Sequence, residues 1–182
     1  MTTRRLDPAD LAARALTYAP VGRTLDGPLP PGFHHLRVER RIGTGASAYE
    51  RAADAVMGFG AQRGAGLRPS ATAPRAAVGV DLLAWLGIGP LALPVPCRVV
   101  WAVEGPHRTG FGYGTLAGHV ESGEEAFVVE RRGEAVYAVI RAYSVPVWWP
   151  MRASGAVGRA LQRGAALLYL HALRRSARER PV

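Results

Sequence analysis

"GFGYGTLAGHVESGEEAF", Gly110–Phe127, sets glycine at alternate positions and then gathers a histidine and three glutamates between His119 and Glu125. Four readings compete for these letters: a phosphate loop, a metal site, an acid/base site and a plain hairpin. A phosphate loop needs its glycines between a strand and a helix, so that the helix N-terminus faces the anion. Here the glycines alternate with Phe111, Tyr113 and Thr115, which is the period of a strand, and more strand-like sequence follows. The spacing predicts a strand with one bare face, where Gly110, Gly112 and Gly114 leave room for another element, while Phe111, Tyr113 and Thr115 point the other way. "GHVESGE" then reads as a solvated acidic turn into a second strand. His119, Glu121, Glu124 and Glu125 do not complete a metal ligand set, since there is one histidine and Cys97 stands alone, so no metal and no cofactor are expected. An acid/base role for His119 with Glu121 or Glu125 stays open, although no nucleophile or oxyanion motif accompanies it.

Outward from this stretch the pattern is strand after strand, over 76–84, 88–94, 97–104, 108–116, 124–132 and 135–145, with turns at "EGPHR", "GHVESGE" and "RRGE". Connections this short join only antiparallel neighbours. Upstream, Asp7 and Pro8 have the form of a helix cap and first turn, so "DPADLAARAL" is expected to be a short helix. A Pro/Gly-rich arm follows to about residue 32. Residues 34–43 alternate as a strand, and "ASAYERAADAVMGF" has helical spacing. Downstream, Arg152–Ala177 reads as the longest helix. Its apolar stripe includes Ala156, Ala160, Gly164 and Ala165, small enough to let it lie close to a sheet. The expectation is an α+β fold, a curved antiparallel meander wrapped around a long C-terminal helix. It is a single domain over 1–182, with an N-terminal helix and arm over 1–32, a core over 33–175 and a basic tail over 176–182.

The composition bounds the rest. Hydrophobic residues make up 48% and charged residues 20% of the 182, which suits a globular chain with a real core. Prolines 90, 94 and 96 and Asp81 interrupt the most apolar run, residues 76–97, so no membrane span is expected. One cysteine excludes an internal disulfide, no secretory leader is evident, and a cytoplasmic location is the expectation. The net charge of +9 comes wholly from arginine and concentrates at the two ends, in Arg4, Arg5 and "RRSARER". That makes nucleic acid an unlikely partner, with the arginine tails as the feature that would carry it.

"LTYAPVGRT", "GTGASAYERAADAV", "RGAGL", "GFGYGTLAGHVESGEEAFVVER" and "VYAVIRAYSVP" together resemble the family called domain of unknown function 1990, or uncharacterised protein family 0548. The likeness spans about Leu16 to Arg174, and it departs at Ala117 and Val120, where the family pattern carries proline. The order of elements is similar to the helix-grip fold of the START and polyketide-cyclase-like group. What that resemblance implies is a cavity between sheet and C-terminal helix holding a hydrophobic or amphipathic small molecule. Its wall is expected from Trp101, Phe111, Tyr113, Thr115, Phe127, Tyr137 and Leu168, with Arg141 and His119 for polar recognition. A cyclase- or hydrolase-like enzyme using His119 with Glu121 or Glu125 is the alternative, and a binder of anionic surfaces through the arginine tails is a further one.

Overall fold

The computed structural model describes residues 6–87, 92–147 and 149–178. Strand β1 (His34–Thr44) leads through helices α1 (Ala46–Met57) and α2 (Gly60–Gly64) to a two-residue strand β2 (Ser70–Ala71). Strands β3 (Asp81–Leu86), β4 (Leu93–Glu104), β5 (Arg108–Thr115), β6 (Glu121–Arg132) and β7 (Ala135–Pro146) follow, then helix α3 (Trp149–Arg178). All pairings are antiparallel, in the order β1-β7-β6-β5-β4-β3-β2. The expected meander is present, and β1 extends it at the β7 edge, so α1 and α2 carry the chain beneath the sheet to the opposite edge.

The inner face of this curved sheet packs on the three helices. Phe111 on β5 stacks on Phe127 on β6, with ring centroids 5.5 Å apart, and both are fully buried. Phe59 meets Phe111 edge-on, and Tyr169 of α3 meets Phe127 in the same way. Burial of each large side chain contributes about 1.5–3 kcal/mol, so this aromatic stack and Leu36, Val38, Ile42, Val129 and Ile140 around it anchor the fold.

The bare glycine face has the partner the spacing called for. It is the N-terminal arm: a Cβ on Gly114 would sit 2.2 Å from the Tyr18 hydroxyl, and one on Gly112 would sit 2.2 Å from Trp101 Nε1 and 2.9 Å from Thr24 Oγ1. Arm and sheet are joined by Thr17 N–H to the Thr115 carbonyl (3.1 Å), Ser122 Oγ to the Thr17 carbonyl (2.8 Å) and Arg108 to the Leu25 carbonyl (2.8 Å).

Several local expectations need correction. The first helix is only a four-residue 3-10 turn, Pro8–Leu11, capped by Asp7 as expected. Arg98 donates to the carbonyls of Leu11 and Ala12, and Leu16 bridges to Leu116, so the chain is drawn onto the sheet instead of coiling on. The strands expected over 88–94 and 97–104 give way to one strand from Leu93; residues 88–91 lie outside the described residues. Pro96 is tolerated inside it because its carbonyl accepts from Leu116 N–H, so its donorless nitrogen faces the β5 side, past the last paired residue of that ladder, Cys97. Helix α3 departs from helical backbone at Gly155. Its middle does not lie close to the sheet, since a Cβ on Gly164 would meet nothing within 4 Å. Close approach comes later, where a Cβ on Gly64 would fall 2.5 Å from Ala172. Helix α3 runs through Arg178, so the first three residues of the 176–182 tail form its last turn; residues 179–182 lie outside the described residues.

Candidate functional site

Where the middle of α3 stands off the sheet there is a cavity of about 920 Å³. Leu82, Ala84, Leu93, Val95 and Cys97 line one side, and Leu161, Ala165, Leu168 and Tyr169 of α3 line another. Leu161 is 70% exposed and Leu168 is 55% exposed, so the cavity opens to solvent beside the helix. The volume lies within the range of small-molecule sites, about 300–1,000 Å³.

The polar residues of this cavity come from the stretch read as an acidic turn. That reading is overturned: β6 begins at Glu121, so the turn proper is Leu116–Val120, and the glutamates sit in a strand rather than in solvent. Strand alternation separates them. Glu121 and Glu125 face the cavity, whereas Glu124 pairs with Gly114 and Tyr143 and lies on the opposite face, 2% exposed. There its carboxylate accepts from Tyr18 Oη (2.8 Å), the N–H groups of Gly22 (2.7 Å) and Thr24 (2.8 Å), the Thr24 hydroxyl, Trp101 Nε1 (3.4 Å) and Tyr143 Oη (3.3 Å). Glu124 therefore fastens the arm. The separation also prevents His119, Glu121, Glu124 and Glu125 from converging on one ion, and no group of three or more possible metal ligands occurs among the described residues.

Inside the cavity Glu125 accepts a hydrogen bond from Tyr113 Oη (2.8 Å). Burial pushes its carboxyl up to about 7; the charge of Glu121 adds to the shift and the Tyr113 hydrogen bond opposes it. Glu121 accepts from Gln162 Nε2 (3.3 Å), which also donates to Ser144 Oγ (2.9 Å); burial raises the Glu121 carboxyl, against its hydrogen bonds from Ser144 and Gln162. His119 meets Glu121 through the backbone rather than the carboxylate. Its Nδ1 lies 2.9 Å from the Glu121 N–H and 3.0 Å from the Glu121 carbonyl oxygen, and in the tautomer that accepts from the N–H the neutral ring carries its proton on Nε2. Burial lowers the His119 pKa to about 4, so the ring is neutral at physiological pH. Cys97 is buried with its thiol held protonated by desolvation.

Of the expected wall, Tyr113, Thr115 and Leu168 line the cavity, as do His119, Glu121 and Glu125. Trp101 does not. A bulge between Val99 and Trp101 reverses the alternation, leaving Val99 in the inner core and Trp101 opposite Gly112 beneath the arm. Tyr137 and Arg141 share the outer face with Val139 and Tyr143: Arg132 lies 4.6 Å over the Tyr137 ring, and Arg141 donates to the Gly27 carbonyl of the arm. Phe111 and Phe127 lie on the inner face but are sealed in the aromatic stack beyond the cavity.

Sequence reasoning missed Gln62, Ser144 and Gln162. Gln62 is 3% exposed, lines the cavity, and has no hydrogen-bond partner for either amide atom among the described residues. Gln62→Leu is expected to raise the unfolding free energy of the ligand-free protein by about 1–2 kcal/mol, because an unmet buried amide is exchanged for an apolar group of similar size. Urea denaturation checks this.

The Glu125 shift also has a pH signature. The folded form holds this proton up to about 7, whereas the ordinary carboxyl loses it near 4.5, so Glu125 favours folding most below pH 4.5 and progressively less up to pH 7. His119, ordinarily at 6.5 and lowered to about 4, acts oppositely, and its contribution is lost as pH falls through that window. The unfolding midpoint of Glu125→Gln, taken relative to the wild type, is expected to climb between pH 4.5 and pH 7. A pH-independent difference would remove the shift.

The comparisons with known proteins fit this geometry. A UPF0548 protein of Deinococcus radiodurans is 34% identical over 177 residues, covering 87% of this chain and 89% of its own. Among solved structures, a hypothetical protein from Helicobacter pylori aligns with TM-score 0.60 and 11% identity, over 81% of this chain and 91% of its own. Norcoclaurine synthase from Thalictrum flavum, solved with dopamine and hydroxybenzaldehyde, aligns with TM-score 0.58 and 12% identity, over 82% and 89%. Both likenesses concern the fold, which is the helix-grip arrangement. Residues 17–172 match the model of the family described as "Domain of unknown function (DUF1990)", and with the arm, glycine strand and cavity all inside that span the chain belongs to this family.

Proposed function

We propose that this protein binds an amphipathic small molecule in the cavity between the sheet and the middle of α3. The observation that carries the reading is the wall itself: about 920 Å³ of mostly apolar lining, with Glu121, Glu125, His119 and Gln62 as polar groups set into it. A core without a ligand role would close such a void, since protein interiors pack to crystal-like density. Instead α3 carries Ala160, Gly164 and Ala165 at the positions over it. The fold neighbour with bound small molecules supports the reading by analogy alone. The test is titration with the neutral fluorophore N-phenyl-1-naphthylamine. Saturable enhancement with one site per chain supports the reading, and the absence of enhancement in the folded protein refutes it.

A second reading has one observation in its favour: Glu125, pushed up to about 7 inside a largely apolar cavity, is matched to proton transfer near neutrality. In that case Glu125 is the acid/base group and neutral His119 a hydrogen-bond donor to the substrate. A co-purified ligand that changes mass on incubation with the wild type, and not with Glu125→Gln, is the result this reading requires. The reading through arginine tails gains no such support. Arg4, Arg5 and Arg180 lie outside the described residues, and Arg174, Arg175 and Arg178 sit on the last turns of α3.

A further inference from the structure

The cavity is chemically one-sided. Its described lining contains three glutamates, Glu121, Glu125 and Glu124, the last with its carboxylate turned away to the arm, and neither arginine nor lysine, in a chain with 23 arginines and a net charge of +9. The arginines that approach the sheet are on its other face or at its edges: Arg98 pairs with Asp81 at 2.6 Å, Arg108 with Asp26 at 3.2 Å, Arg132 with Glu39 at 2.5 Å, and Arg141 holds Gly27. The outer-face carboxylate Glu124 is saturated by hydrogen-bond donors. The partners of the two cavity carboxylates are all neutral: a phenol for Glu125, and the Gln162 amide and Ser144 hydroxyl for Glu121. Carboxylates so placed are costly unless paired, and the missing partner is a cation.

Gln62 points the same way from a different element. The residue lines the cavity from α2, is more than nine-tenths buried, and its amide lacks any partner among the described residues. An unmet buried amide in the wall is a polar group that an apolar ligand cannot pair.

On these grounds we infer that the ligand is an amphipathic amine, whose cationic nitrogen is held by Glu125 or Glu121, within the field of both, while its apolar body lies along Leu82, Val95, Leu161 and Leu168. This rests on the small-molecule reading above and narrows it to a head-group charge. Along β6 the two carboxylates are four residues apart on one face, about 13 Å of strand. A head group therefore engages one closely, and the other sets the sign of the field around it. A carboxylate-bearing ligand is disfavoured by the same two groups.

The groups facing Glu125 are Tyr113 on β5, Cys97 on β4, Glu121 on β6 and Tyr169 on α3. The two tyrosines and the cysteine are raised further from neutrality, and neighbouring His119 is lowered to about 4. Near neutral pH the cavity's charge is therefore governed by its two glutamates. Amine binding strengthens as they ionise, and the ligand, with a basicity close to that of lysine at about 10.4, stays charged throughout.

Calorimetric titration of the full chain with decylamine, decanol and decanoate, each below its micelle concentration, tests the inference. Decylamine is expected to bind about 10- to 100-fold more tightly than decanol, with decanoate weakest. The amine-to-alcohol ratio is expected to rise between about pH 6 and pH 8, and to fall towards one in Glu121→Gln/Glu125→Gln. Decanol or decanoate binding as tightly as decylamine overturns the charge inference and leaves the cavity reading intact. If none of the three binds, both fail. A wild-type preference for amine that persists in the double variant overturns the assignment to these glutamates.

Discussion

Glu124→Ala is expected to lower the unfolding free energy by about 3–5 kcal/mol and to free the arm over residues 17–27. One carboxylate collects donors from the arm (Tyr18, Gly22, Thr24) and from the sheet (Trp101, Tyr143), and at 2% exposure no water can replace it. Removing it leaves several buried donors unmet at once, each costing about 1–3 kcal/mol before relaxation. The arm has nowhere else to settle, because the glycine face at Gly112 and Gly114 is shaped to it and has no side chains of its own. Urea denaturation measures the loss. Limited trypsinolysis identifies its location: Arg23 is exposed on the arm, and cleavage after it should be slow in the wild type and fast in Glu124→Ala. Equal cleavage rates would show that Glu124 does not hold the arm.

Ala142→Trp is expected to weaken ligand binding by about 100-fold or more while leaving the fold in place. Ala142 lies on the inner face of β7 directly opposite Glu125, is 3% exposed, and lines the cavity. An indole there projects into the space in front of Glu125 and competes with any ligand for it. Overpacking ordinarily costs about 1–3 kcal/mol in a filled core, but this side chain enters a void, so stability is expected to hold or rise. The fluorophore titration reads the first effect and thermal unfolding the second. Wild-type binding in a folded Ala142→Trp would place the ligand elsewhere.

The architecture was legible because it rests on local periodicity. Alternating glycines announced a bare strand face, short polar turns announced antiparallel neighbours, and helical spacing marked α1 and α3. What failed depended on events one residue long or on partners far along the chain. The bulge beside Trp101 has no signature in "CRVVWAVE", yet it moves that side chain through the sheet. Glu121, Glu124 and Glu125 looked like a wet turn because buried carboxylates need partners, and those of Glu124 lie about 100 residues upstream, at Tyr18, Gly22 and Thr24. Arg141 and Tyr137 share one face of β7, but which face the cavity occupies is set by packing against α3. Gln62 stood in "GAQRGAG", which reads as a helix end; only the docking of α2 on α3 turns its amide into a buried group without a partner.

The cavity reading is tested most directly by native mass spectrometry of the protein purified from its own host, alongside Ala142→Trp prepared in the same way. The expected result is a wild-type species heavier than the chain by the mass of one small molecule, lost on collisional activation and absent from the variant. A wild-type protein that carries only its own mass, and takes up none of the probe ligands when they are added, would contradict it.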